Sequence, residues 1–235
     1  MSDELERLLA LYRVDRAMDN LEGKLADLKG EVVRLRTRLE EEDQQFSRRQ
    51  EEHRSLQRRA TDKAAEVDET DARIRSYQKK LDQDIIAYKE MEHLRHQVGW
   101  LRDRLDQLEE EALQLMDAAE EDARNLEQAA AAHRQRRRRL EEEIDGVLRR
   151  QQELLAERDG LRARREEAAA EVPAHLRQHY DRLRESFSDP VAAAEDAACG
   201  GCHLRLSEIT VERLREGRGV VTCENCSRFL YWRWR

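Results

Sequence analysis

From Val14 to Leu81 one heptad register holds without a slip, and nothing else in the chain constrains the fold as tightly. One seam runs from Met18, Leu25, Val32 and Leu39 through Phe46 and His53 to Ile74 and Leu81. Its partner runs from Val14, Leu21, Leu28 and Leu35 through Glu42, Arg49 and Lys63 to Tyr77. Alternating steps of three and four are the signature of a left-handed coiled coil. Neither Gly nor Pro occurs between Gly30 and Gly99, so the usual helix breakers are missing there. With 41% charged and 5% aromatic residues, the composition suits either long helices or charged disorder. A sustained apolar phase selects helices. The seam turns polar between Glu42 and Lys63, where packing is expected to be loosest.

A second register begins past residue 90, from Met91, Val98 and Leu105 through His133 to Leu140, Val147 and Leu161. Its partner seam, Leu94, Leu101, Leu108 and Leu115, loses apolar character after Ala129. One unbroken helix to about residue 171 would be roughly 250 Å long, and two folded arms about half that each. Asp84 in LDQDIIAYKEME is a candidate N-cap. A tip near 82–90 gives arms of similar length and sets the polar stretch 42–63 against the Ala-rich stretch 112–131. The heptads suit an intramolecular hairpin and an intermolecular dimer alike, so monomer or homodimer stays open. Pro173 ends the long helix and suits the start of a short one over 174–186. The expected division is a coiled coil over 1–172, a short helix and linker over 173–190, and a terminal module over 191–235. That module is too small to hold together by its apolar core alone.

All four cysteines lie in this module, as Cys199-x2-Cys202 and Cys223-x2-Cys226. Two CxxC turns bring four thiolates onto one ion at about 2.3 Å in a tetrahedron. Four thiolates close the coordination sphere, so the expected cofactor is one structural zinc ion; iron would also accept four thiolates. Gly200 and Gly201 let the first turn bend tightly. Between the knuckles, HLRL and VVT read as short strands, SEITVERLREG as a helix capped by Ser207 and stopped by Gly217, and FLYW as a last strand. A redox dithiol would need only one pair. His203, next to a ligand cysteine, reads as a strand residue rather than a fifth donor.

The chain resembles the bacterial coiled-coil proteins that end in a four-cysteine zinc ribbon. LLALYRVDRAMDNLE is similar to the family's opening helix, KEMEHLRHQVGWL to its segment just past the hairpin tip, and LEEEALQLM to the next part of that arm. HYDRLR, PVAAAEDAACGGCHLRLS and CENCSRFLY are similar to the approach to the ribbon and both knuckles. Met91 and His93 stand where the family usually has Tyr and Ala. Ser227 stands where it usually has Gly; a strained backbone at that position would make the second knuckle slightly weaker without preventing metal binding, because all four ligands are present. The resemblance implies a mainly α fold, an antiparallel coiled-coil hairpin with a small C-terminal β zinc ribbon. It also implies a non-catalytic role linked to nucleic acid, transcription factors, or secretion and flagellar proteins.

Residues 199–235 hold seven Arg against four Glu, a net of +3, so with −8 for the chain the remainder carries −11. The tail RFLYWRWR interleaves Arg228, Arg233 and Arg235 with Phe229, Tyr231, Trp232 and Trp234. Arg beside aromatic rings suits stacking on unpaired bases with phosphate contact, so Arg228, Trp232, Arg233, Trp234 and Arg235 are the candidate contacts for RNA or a single strand. Phe229 and Tyr231 read as core. Four thiolates on one zinc leave −2, which cuts the module's charge to about +1 and speaks against tight binding by net charge alone. The block HRQRRRR, His133 to Arg139, reads first as a solvated helix face and second as a phosphate site. His53 and His133 fall on seam positions, where a polar residue sets register or loosens packing.

There is no catalytic triad, no phosphate-cradling glycine loop and no carboxylate pair in an evident pocket, so no enzyme is expected. The expected function is nucleic-acid binding by the ribbon with the coiled coil as spacer. The alternative is a protein adaptor or chaperone-like scaffold for transcription or secretion components. The acidic start and the lack of any long apolar segment point to a cytoplasmic protein without a membrane partner.

Overall fold

The computed structural model describes residues 2–83 and 87–232. The fold is mainly helical: α1 (Asp3–Gln83), α2 (Tyr88–Glu171), α3 (Ala174–Ser186), β1 (Val191–Glu195), β2 (Ala198–Cys199), α4 (Glu208–Glu216), β3 (Val221–Thr222) and β4 (Phe229–Trp232). The expected cap Asp84 lies outside the described residues, as do Arg233, Trp234 and Arg235. The chain forms two compact units, one of Met1–Val32 with Gly146–Arg235 and one of Val33–Asp145.

In the unit of Val33–Asp145, partner numbers on α2 fall as those on α1 rise. Asp43 meets His133, His53 meets Asp122 and Lys63 meets Glu111. Ile74 packs with Val98 and Leu101. The two helices therefore form an antiparallel hairpin. Where the apolar seam fails, polar pairs replace it. His53 Nδ1 lies 2.8 Å from Asp122 Oδ2, and Arg49 hydrogen-bonds the same carboxylate. His133 Nε2 lies 2.9 Å from Asp43 Oδ1, and its ring stacks on Phe46 with centroids 4.5 Å apart. The stretch expected to be loosest is thus tied across by charge. Beyond Ala129 the second seam of α2 steps over by one residue, so that Ile144 is buried where the earlier phase would place Glu143.

In the other unit, Leu5, Leu8 and Leu11 of α1 form one core with Ala169, Val172, Leu176, Tyr180, Val191 and Phe229. Leu8 and Leu11 are fully buried, each contributing roughly 1.5–3 kcal/mol of apolar burial. Asp15, 1% exposed, sits among cations and a phenol. Arg165 Nε donates to it at 2.7 Å and Tyr180 Oη at 2.9 Å, while Arg184 lies 3.9 Å away. Burial, helped by the Asp15 charge, pushes the Tyr180 phenol far above its ordinary pKa, so it stays a donor. This hub joins α1, α2 and α3. The helix break at Pro173 stands where expected, with α3 starting at the next residue.

The ribbon sheet has the order β2-β1-β4-β3. β1 pairs antiparallel with β2 and β4 with β3, whereas β1 and β4 are parallel, Val191 opposite Phe229. VAAAE was not expected as a strand. HLRL, expected as one, supplies only an isolated bridge from Arg205 to Ala198. The reason is local: His203 has φ +61°, which no extended strand permits. α4 begins and ends as its caps dictate. The Ser207 hydroxyl accepts from the Thr210 N–H, and Gly217 closes the helix at φ +64°.

Candidate metal centre and the face beside it

Each knuckle is built the same way. The residue after the second cysteine turns into the left-handed region, and its N–H donates back to the carbonyl of the first cysteine. His203 N donates to Cys199 O at 2.8 Å with φ +61°, and Ser227 N to Cys223 O at 2.8 Å with φ +62°. Ser227 therefore carries the strain that its side chain implies, because an L residue there costs roughly 1–2 kcal/mol relative to the right-handed region. Gly200 is obligatory for another reason. A Cβ there would stand 2.8 Å from Ala193 O, the acceptor of its own N–H bond at 2.8 Å.

The four sulfurs converge. Cys199 Sγ is 3.8 Å from Cys226 Sγ, Cys202 Sγ is 3.8 Å from Cys223 Sγ, and all four lie within 4.8 Å of one another. Zinc–sulfur bonds of about 2.3 Å in a tetrahedron put sulfurs about 3.8 Å apart, so the donor set fits zinc. Cys199 and Cys223 are buried in a small core with Ala194, Leu206, Val211, Leu214 and Leu230, so the ion and the apolar cluster hold the same fold. Burial raises the Cys199 thiol and pushes Cys223 up to about 12. Cys226 is also desolvated. Hydrogen bonds from the Arg228 backbone, the neighbouring thiols and the Arg228 guanidinium outweigh that, bringing it down to about 7.

Arg228 is the centre of a clamp rather than part of an open face. Its Nε donates to Asp189 O at 2.8 Å, and its guanidinium lies 3.8 Å from the centre of the Phe187 ring. A Cβ added at Gly201 would fall 2.6 Å from Arg228 Cδ, so the first knuckle must be bare for this side chain to pass. Asp189 in turn accepts from Tyr12 Oη at 2.8 Å and pairs with Arg16 at 2.5 Å. On the other side, His179 of α3 meets Ser227 O at 2.9 Å and the Phe229 ring edge-on. The second knuckle is thereby fastened to α1 and α3. Glu224 accepts from the Ser207 N–H at 2.6 Å and from Thr210 Oγ1 at 3.1 Å, tying that knuckle to the start of α4.

Of the tail, Phe229 and Leu230 are buried and Tyr231 half-buried against the helical core. Trp232 is half-buried at the edge of the ribbon core, with the Arg215 guanidinium 5.3 Å from its ring. Trp232 lines a recess with Leu5, Leu214, Val221 and Leu230, and Arg213, Arg215 and Glu216 also line it. Neither arginine was singled out from sequence. The signal was the spacing of buried Val211 and Leu214 on α4, which leaves 213 and 215 exposed.

No helix among the described residues is long and apolar enough to cross a membrane. No curated protein sequence matches the chain. Among solved structures, CT398 from Chlamydia trachomatis has 20% identity and a TM-score of 0.71, with 98% of each chain covered. A protein from Mycobacterium smegmatis has 21% identity and a TM-score of 0.63, with 97% of each covered. HP0958 from Helicobacter pylori has 19% identity and a TM-score of 0.51, covering 100% of this chain and 99% of its own. At these identities the likeness is one of fold. A model of the C4-type zinc ribbon domain matches residues 198–230. A model of the CT398-like coiled coil hairpin domain matches residues 11–188, most of the chain, which therefore belongs to that family and carries a C4-type zinc ribbon with one structural zinc.

Proposed function

We propose that the protein is a non-catalytic binder of single-stranded nucleic acid, read by the ribbon face where Arg213 and Arg215 of α4 stand beside Trp232. The observation that carries this reading is that recess of 130 Å³. It joins apolar side chains and an indole ring to two guanidinium groups beside the single carboxylate of Glu216, and ring with net positive charge is the pairing that base stacking with phosphate contact requires. It is smaller than the pockets of roughly 300 Å³ and more that enclose small-molecule substrates. Depressions along the hairpin, such as the groove lined by Arg59, Lys63, Glu66 and Glu111, are open and charged. Arg228, expected in this face, contributes to the clamp instead; Arg233, Trp234 and Arg235 lie outside the described residues. The test is binding of labelled single-stranded RNA, single-stranded DNA and duplex DNA by the zinc-loaded protein across a salt series. Saturable binding that falls with salt and drops in the Arg213→Gln, Arg215→Gln variant is expected. Equal binding by parent and variant would remove the reading.

A second reading, a protein adaptor, is favoured by Trp100, Leu113 and Met116 on α2, which are 67%, 61% and 53% exposed. A photo-crosslinking residue at position 100 should then capture one defined protein in cells, and a Leu113→Ser, Met116→Ser background should abolish that capture.

A further inference from the structure

The fold splits the basic block His133–Arg139 into two faces. The inward residues hold the hairpin. His133 meets Asp43, Arg136 Nε donates to Glu42 at 2.7 Å, and Arg137 donates to Asp43 at 3.1 Å and to Glu141 at 2.9 Å. The outward residues are Arg134, Arg138 and Arg139. All three are exposed, and none has a hydrogen-bond or ion-pair partner among the described residues. They line one shallow depression with Ala131, Gln135 and Glu142. Arg134 and Arg138 are four residues apart and so neighbours on the helix surface. Glu142 supplies the one carboxylate there, so the face keeps an excess of positive charge.

We propose that this outward arginine face is a second contact surface for the phosphodiester backbone of a single-stranded nucleic acid; the proposal rests on the reading of the ribbon as a nucleic-acid binder. Guanidinium groups match phosphate oxygens two bonds at a time. Neutralising phosphates releases counterions and needs no apolar anchor. A protein interface concentrates its energy in Trp, Tyr and Arg side chains packed into desolvated pockets, and this shallow depression sets no aromatic ring beside its arginines. Among the described residues of α2, no large apolar side chain beyond Met116 is exposed. Phosphate contact without base contact gives affinity without sequence preference, so this surface adds affinity and leaves base recognition to the ribbon.

The experiment uses the full zinc-loaded chain and a labelled oligouridylate over a salt series. The variant Arg134→Gln, Arg138→Gln, Arg139→Gln is expected to weaken binding at low salt about tenfold or more. It should also reduce the slope of log affinity against log salt by about 2, three contacts at roughly 0.7 each. The variant Arg136→Gln, Arg137→Gln removes charge from the inward face, and circular dichroism checks that it stays folded; it should keep the parent slope. Parent-like binding by the outward variant would overturn the proposal and leave the ribbon reading standing on its own variant. Equal losses in both variants would reduce the effect to net charge and overturn it too. Displacement by oligoglutamate as effective as by unlabelled oligouridylate would overturn it by making the face a site for acidic polypeptide. No binding by the parent would sink both readings together.

Discussion

At the scale of single residues, the metal site depends on two backbone seats and one bare turn. Ser227 sits at φ +62° with its side chain making no hydrogen bond among the described residues, so Ser227→Gly should relieve strain at the second knuckle. The expected gain is about 1 kcal/mol, read as a higher denaturant midpoint of the zinc-loaded protein; a lower midpoint would show that the seat is not strained. Gly201→Ala should act in the opposite sense, since its Cβ would occupy the space of Arg228 Cδ. Displacing Arg228 forfeits its bond to Asp189 O and its stacking on Phe187. A loss of about 1–3 kcal/mol is expected by the same measurement. Both glycines of the first knuckle were legible as turn residues. The reason Gly201 must be glycine was not, because Arg228 reaches it from the other knuckle.

At the scale of elements, α1, α2 and α3 meet at the Asp15 carboxylate. Asp15→Ala leaves Arg165, Tyr180 and part of Arg184 without their acceptor in a buried position. Breaking such a group from one side costs about 3 kcal/mol, visible in urea unfolding; a cost below about 1 kcal/mol would mean that water replaces the carboxylate freely. Asp122 offers a pH test in the hairpin. Its carboxyl is held below the ordinary value of 3.8, first by the Arg49 hydrogen bond and then by His53. A depressed folded pKa adds stability that is complete above the ordinary carboxylate range and lost as pH falls through the folded value. Parent protein should therefore exceed Asp122→Asn in unfolding midpoint at neutral pH, and the two should converge as pH falls through the depressed carboxyl value. Parallel curves would contradict this. The heptads showed where the apolar seam fails, but a heptad pattern cannot say which charges face each other across it. His53 with Asp122 and His133 with Asp43 become partners only once the antiparallel register is set.

At the scale of the whole molecule, the two compact units have different sources of cohesion. The hairpin segment Val33–Asp145 is held by its own seam and its polar pairs, whereas the ribbon shares its core with four cysteines. Removing zinc with a chelator should raise amide exchange across 191–232 while the hairpin segment keeps its protection. Equal loss in both would show that the metal supports the coiled coil as well. The sequence by itself determined the long helices, through heptad phase and the absence of breakers, and the metal centre, through the spacing of Cys199, Cys202, Cys223 and Cys226. Those features are local or periodic, so neighbouring positions carry them. The tertiary structure alone decided that β1 lies parallel to β4, that Arg228 turns inward to Asp189 and Phe187, and that Arg213 and Arg215 join Trp232. It also decided which arginines of the His133–Arg139 block remain unpaired. Each of these depends on side chains that meet from distant parts of the chain, and only the folded register brings such partners within bonding distance.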